Sequence, residues 1–339
     1  YDGKALEFHK LVDSQLICAC GHPGGGRQSL TARFMRHFNI FNFTELQDDS
    51  LRHIFKTMLD SYLSIFDSSI QAVSVKIADA TISIYNEVRS TMLPIPSKSH
   101  YTFNLRDVSK VIQGVMSLHK AHVDNEKDII GVFAHEATRV FSDRLVDQPD
   151  RDSFQKMLAK ELNDRFSVTP KDLYQTDNLL YCDFFEESSD QHPYTQVTDE
   201  KKLEQILNSS MAEYDDVNAK KLQLVLFPDA IEHIIRISRI LRQPSGHALL
   251  LGVGGSGRQS LTRLAAYLSE YVVLQPEITK TYGTVEWLAD IRDAMKKAGF
   301  EETPTVFLIS DAQLVKETFL EDINNLLNSG DVPNIFPPE

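Results

Sequence analysis

The chain has 339 residues, 42% hydrophobic and 24% charged, which reads as a globular protein of roughly two or three domains. A net charge of −13, with lysines and arginines scattered among acids, argues against a nucleic-acid surface, and no apolar run approaches the length that crosses a bilayer. Three cysteines without a secretory leader point to a reducing compartment such as the cytoplasm, and Cys18 and Cys20 lack a second pair at zinc spacing. The opening Tyr1-Asp2-Gly3-Lys4 has neither an initiator Met nor a targeting pattern and reads as a cut-out or processed piece.

Along the chain, residues 15–20 form a short apolar run expected to be a strand, followed by a glycine-rich turn at 21–26 and a second expected strand at 39–43. From Asp49 the period changes: Leu51, Ile54, Phe55, Met58, Leu59, Tyr62, Leu63 and Phe66 recur at helical spacing. Further helical patterns cover 70–91, 107–118, 126–145 and 153–162, with breaks at Pro94, Pro96 and the Gln148-Pro149 step. Residues 49–165 therefore read as an all-helical bundle, and 166–200 as a polar linker in which 181–185 is a strand or a docking segment. Beyond that, helix 230–241, strand 247–251, helix 260–271, strand 305–309 and helix 317–327 alternate, which predicts an α/β unit with a parallel sheet. The expected organisation is the end of an α/β core (1–48), a helical domain (49–165), a linker (166–200) and the start of a second α/β core (201–339).

The chemistry concentrates at Gly252-Val-Gly254-Gly255-Ser256-Gly257-Arg258-Gln259-Ser260. Glycines there let backbone N–H groups turn toward a phosphate, and the following helix adds its positive end. The usual Lys and Ser/Thr after the last glycine are replaced by Arg258 and Gln259, so the Mg²⁺-binding hydroxyl is missing and Ser260 is one position late. The apolar run Thr305-Val-Phe-Leu-Ile-Ser ends at Asp311, which suits a carboxylate holding Mg²⁺ through water, but Ala312 stands where a water-polarising Glu would be needed. ATP or ADP binding with little hydrolysis is the expectation.

Gly24-Gly25-Gly26-Arg27-Gln28-Ser29 nearly repeats the loop, yet no apolar strand ending in Asp appears about 40–60 residues on, where the pattern is helical. The basic Arg33 and Arg36 instead suit a reach across an interface to a neighbouring nucleotide. His22, His135 and His233 lack ligand sets, and Glu136 in Ala134-His135-Glu136 has no second His at protease spacing.

These strings resemble the motor ring of axonemal dynein heavy chains. Residues 252–266 and 319–330 are similar to the fourth AAA+ module, as are Leu224-Val-Leu-Phe227 and Ala230-Ile-Glu-His233 on its adenine side; Pro23–Arg27 with 33–38 resembles the sensor end of the third, and Tyr101-Thr-Phe-Asn-Leu-Arg106-Asp107 its lid. Arg258 fits inner-arm chains better than outer-arm ones. The resemblance implies AAA+ P-loop modules joined by a helical lid, with Arg33 as arginine finger, Arg36 as second choice, and Arg106 as the lid's sensor arginine. Gly21 stands where a sensor Asn is usual. It further implies a regulatory segment of a minus-end-directed, ATP-driven microtubule motor of the ciliary and flagellar axoneme. Expected partners are neighbouring AAA+ modules, intermediate and light chains, and microtubules, with no nucleic acid or membrane. The alternatives are a free-standing P-loop NTPase that remodels other proteins, and a purely structural segment that binds no nucleotide.

Overall fold

The computed structural model describes residues 8, 12–21, 29–173, 179–185, 192–218, 221–222 and 224–336. The chain divides into two compact units, Tyr1–Leu46 and Gln47–Glu339.

In the first unit the described secondary structure is one short helix, α1 (Ala32–Met35), whose Thr31 hydroxyl accepts from the Phe34 N–H. The expected strands at 15–20 and 39–43 are not formed among the described residues. Both segments lie open, with Ile17 97% and Phe43 89% exposed. An apolar stretch becomes a strand only when a neighbour takes up its backbone groups, and none is in place here. Most of the glycine-rich turn at 21–26, with Arg27 and Gln28, lies outside the described residues.

The second unit opens with the helical lid. Helix α2 (Asp48–Leu63) buries Leu51, Phe55, Leu59 and Leu63, a stripe repeating every four residues. The short α3 (Ser68–Gln71) leads into α4 (Val73–Thr91), the central helix of the bundle, which packs on α2 and on α7 (Gln148–Phe166). Helices α5 (Leu105–Val115) and α6 (Glu126–Ala137) each begin with a reciprocal cap, Asn104 with Asp107 and Asn125 with Asp128. Two expectations are corrected here. The break between helices expected at the Gln148-Pro149 step falls before it, and Pro149 sits in the first turn of α7, where its missing N–H costs nothing. The helix expected over 126–145 changes at Thr138 into a π-turn, Thr138–Ser142.

The segment read as a linker carries a two-stranded antiparallel ribbon, β1 (Tyr181–Cys182) and β2 (Thr195–Gln196). Its faces alternate with period two. Leu179, Tyr181 and Tyr194 join the lid core, while Leu180, Cys182 and Val197 join a second core. That second core is built by α8 (Glu200–Val217), α9 (Pro228–Arg242) and α10 (Arg258–Leu268). A third core gathers around Trp287, which stacks on Phe319 at 4.5 Å and donates its indole N–H to Asp322 at 2.9 Å. Strands β3 (Val272–Leu274) and β4 (Thr305–Phe307) pair in parallel through the crossover helix α11 (Thr284–Gly299), and α12 (Thr318–Ser329) closes the described fold. This α/β arrangement is the expected class, though α8, β3 and α11 went unread in the sequence. Among the described residues no helix is long and apolar enough to cross a membrane.

Candidate functional site: a glycine loop at the start of a helix

Helix α9 ends at Arg242, and the chain returns through 247–251 to the loop. The strand expected at 247–251 is not hydrogen-bonded into a sheet among the described residues, which corrects that reading. The apolar run that suggested it has one inward side chain, Leu250, packed against the second core, while Leu249 is 81% and Leu251 64% exposed.

Two glycines of the loop adopt the left-handed conformation, Gly255 at φ 81° and Gly257 at φ 74°, which ordinary side chains resist. Gly257 is the cap residue of α10, and its carbonyl accepts the Leu261 N–H at 2.8 Å, so the helix starts at Arg258 with its first N–H groups turned toward the loop. A side chain on Gly254 or Gly255 would meet nothing within 4 Å, so these peptides face open space. Gly252 is tighter: an added Cβ would lie 3.2 Å from the Ser256 hydroxyl.

The side chains beyond the last glycine are engaged. Arg258 turns back on the loop, donating from Nη2 to the Val253 carbonyl at 3.2 Å and from Nη1 toward that of Leu250 at 3.5 Å. The carboxamide oxygen of Gln259 accepts from Gln275 at 3.4 Å, and Gln275 accepts from Arg263. Ser260 is half-buried on the first turn of α10. At the end of β4, Asp311 and Ala312 are exposed and open a short 3-10 turn, Asp311–Gln313. Gln313 is the anchor of that turn: its oxygen accepts from the Ser310 N–H at 2.7 Å and its amide donates to the Pro276 carbonyl at 3.1 Å. Among the described residues no three His, Cys, Asp or Glu side chains converge as a metal site, so a cation at Asp311 would need oxygens from a phosphate as well. The donor set, backbone N–H groups and a guanidinium on a helix N-terminus, fits a phosphate.

The other sequence candidates stand elsewhere. Arg33 is exposed on α1, and Arg36 comes just after it, donating to His37 at 3.1 Å. Arg106 is exposed on the first turn of α5, whereas its neighbour Asp107 is buried and receives Arg144 at 2.6 Å.

Sequence reading passed over a second constellation. Glu136, fully buried on α6, is held by Nε and Nη2 of Arg239 on α9 and by the Tyr194 hydroxyl at 2.9 Å. It fits because residue 114 is Gly; a Cβ there would fall 1.9 Å from its carboxylate oxygen. Burial pulls the Arg239 guanidinium down, but Glu136 overrides this and raises it, while burial pushes the Tyr194 phenol up. Nearby, the π-turn presents Arg139 to Asp143, which also meets Arg236. The signal was present: a carboxylate placed just past the apolar run 129–134 requires a buried partner.

A glycine loop opening a helix, a parallel pair with a helical crossover, an Asp just past the second strand and a helical lid alongside define an AAA+ P-loop nucleotide-binding module. Family profiles agree. "P-loop containing dynein motor region D4" matches residues 222–339, "Dynein heavy chain, ATPase lid domain" 50–151, and "P-loop containing dynein motor region" 1–46. The chain is 44% identical over 349 aligned positions to dynein axonemal heavy chain 1 of Mus musculus, covering 99% of this chain and 8% of that protein. It is 40% identical to human dynein axonemal heavy chain 6, again over 99% and 8%, and 40% identical to the dynein-1-beta heavy chain of the flagellar inner arm I1 complex of Chlamydomonas reinhardtii, over 100% and 8%. The chain belongs to the axonemal dynein heavy chain family. It spans about 8% of the length of these relatives.

Proposed function

We propose that the loop at 252–260 binds ATP or ADP with Mg²⁺ and hydrolyses it slowly or not at all, acting as a regulatory site in a heavy chain whose motor activity lies largely outside this segment. The observation that carries this reading is the pair of left-handed glycines, Gly255 and Gly257, at the start of α10. In this proposal the N–H groups of Gly254, Gly255, Ser256 and Gly257 receive phosphate oxygens. Arg258 exchanges carbonyl acceptors for phosphate, and Asp311 holds the Mg²⁺ shell with phosphate oxygens supplying the remaining ligands. Bound Mg²⁺ would neutralise phosphate charge. Ala312 has no group to orient a water, and Gln259, already engaged with Gln275, offers no hydroxyl to the metal.

The wider reading rests on the family. The parent protein is proposed to be an ATP-driven, minus-end-directed microtubule motor of the ciliary or flagellar axoneme, with intermediate and light chains as partners. Residues 1–48 and 201–339 belong to the third and fourth ring modules, with a lid at 49–165 and a connection at 166–200. Arg33, with Arg36 as second choice, serves a neighbouring module's nucleotide, and Arg106 is the lid's sensor. A structural module binding no nucleotide is the second reading, favoured by Arg258 bonding to the loop's own carbonyls. Titration of the full chain with a fluorescent ADP analogue in the presence of Mg²⁺ separates the two: saturable binding that unlabelled ATP competes away supports the first, and none supports the second. Turnover on the order of 1 per second or more in a complete module would overturn the low-hydrolysis proposal.

A further inference from the structure

Away from the loop, a cavity of 270 Å³ lies where the lid, the ribbon and α9 meet. Between two apolar cores one expects a void that is small and dry. Every residue that walls this one except Pro193 carries a polar group, although about half of the wall surface is carbon. The lid contributes His119 and His122 from the α5–α6 connection, the ribbon His192, and α9 the arginines Arg239 and Arg242.

The hydrogen-bonding balance favours donors. The two carboxylates on the wall, Glu136 and Asp183, are already committed, the first to Arg239 and Tyr194, the second to Arg242 at 2.9 Å. Arg242 makes that pair through Nε, and its side chain remains 31% exposed. His119 accepts the Ala121 N–H at Nδ1 at 3.3 Å, so its neutral ring carries the proton on Nε2 and is a donor there. Arg239 is engaged by Glu136, so the donors left for a compact oxyanion are the Nη groups of Arg242 and the three imidazoles, of which His192 also stands 3.9 Å from Glu270. At 270 Å³ the cavity lies at the lower edge of the roughly 300–1,000 Å³ of sites for larger ligands, which favours a small ion over a whole nucleotide.

We propose that this cavity is an oxyanion site, taking inorganic phosphate or an ion of the same shape and charge, with Arg242 and the three histidines as its ligating side chains. It is independent of the glycine loop and of whether nucleotide binds there.

The test uses the full chain with ¹³C-labelled histidine, titrated with inorganic phosphate while the imidazole resonances are followed by NMR. Phosphate should shift His119, His122 and His192 saturably. Arg242→Ala should weaken that response about tenfold or more, the loss expected for a charge-assisted hydrogen bond, whereas Arg242→Lys should keep it within a few-fold, showing that the fold is intact. Arg258→Ala, on the glycine loop, should leave it unchanged. ADP, carrying its phosphates on a larger body, should shift these rings less than phosphate does. No saturable response, a response that survives Arg242→Ala, or one abolished by Arg258→Ala would overturn the proposal. The cavity would then hold ordered water. A stronger response to ADP than to phosphate would overturn the assignment to a free oxyanion.

Discussion

At the scale of single residues, the loop differs from a hydrolytic one by a few atoms. On the proposed reading, Arg258 supplies charge where an ammonium is usual, and Ala312 supplies a methyl where a carboxylate would be needed. Arg258→Ala should weaken ADP binding by roughly 1.5–3 kcal/mol, the value of a charge-assisted bond, while Arg258→Lys should retain most affinity; a four-variant titration in one buffer at fixed Mg²⁺ reads this. Turnover should stay low in Arg258→Lys and rise only when Ala312→Glu and Gln259→Thr are added; strong turnover from the lysine alone would place the water-orienting residue elsewhere. Gly257→Ala should cost about 1–2 kcal/mol of stability, because φ 74° is strained for any residue with a Cβ, and should weaken binding as the first peptides of α10 tilt away. Equal affinity and melting temperature in Gly257→Ala would mean the loop relaxes without loss.

At the scale of elements, local chemistry decided what could be read. The Asn-x-x-Asp pairs at 104–107 and 125–128 are start signals that need no tertiary partner, and both helices begin there. Asn125→Ala should lower stability by about 1 kcal/mol, seen as a lower melting temperature, with Asn104→Ala similar. The periodicity of α2 and α4 was legible for the same reason, and so were the glycine loop and the Asp311 strand end, which depend on residues close in sequence. Strands at 15–20, 39–43 and 247–251 were over-read, because a short apolar run reports burial tendency and not a pairing. Helix α11 went unread because its stripe is thin, Trp287 and Ile291 being its fully buried residues. The ribbon was hidden by its brevity, two residues per strand, and by polar flanks. Gln275 and Gln313 were invisible as site neighbours, since their partners come from distant turns.

At the scale of the molecule, the second unit is held by charge as well as by its cores. Glu136→Ala would leave the Arg239 guanidinium and the Tyr194 hydroxyl buried without their acceptor, and should destabilise by about 3–5 kcal/mol in denaturant unfolding. Replacing Glu136 and Arg239 together by Met should cost much less; equal losses would mean the packing around them dominates. Acid should act through His135, which donates from Nδ1 to the Leu179 carbonyl at 3.0 Å. Burial, aided by Arg139 and Arg239, holds its imidazole well below the ordinary 6.5. The unfolded chain takes up a proton as pH falls past 6.5 that the folded chain refuses, so the stability of the neutral, buried ring is full above that value and declines below it. Unfolding midpoints measured across roughly pH 5 to 8 should show this decline, and His135→Leu should flatten it. The ribbon carries a different consequence, one for inheritance. Because Leu179, Leu180, Tyr181 and Cys182 point alternately into two cores, deleting a single codon there would turn each later side chain into the wrong core. Loss of two codons would only shorten the strand and keep every face. Natural length variation between 179 and 182 is therefore expected to come in steps of two residues.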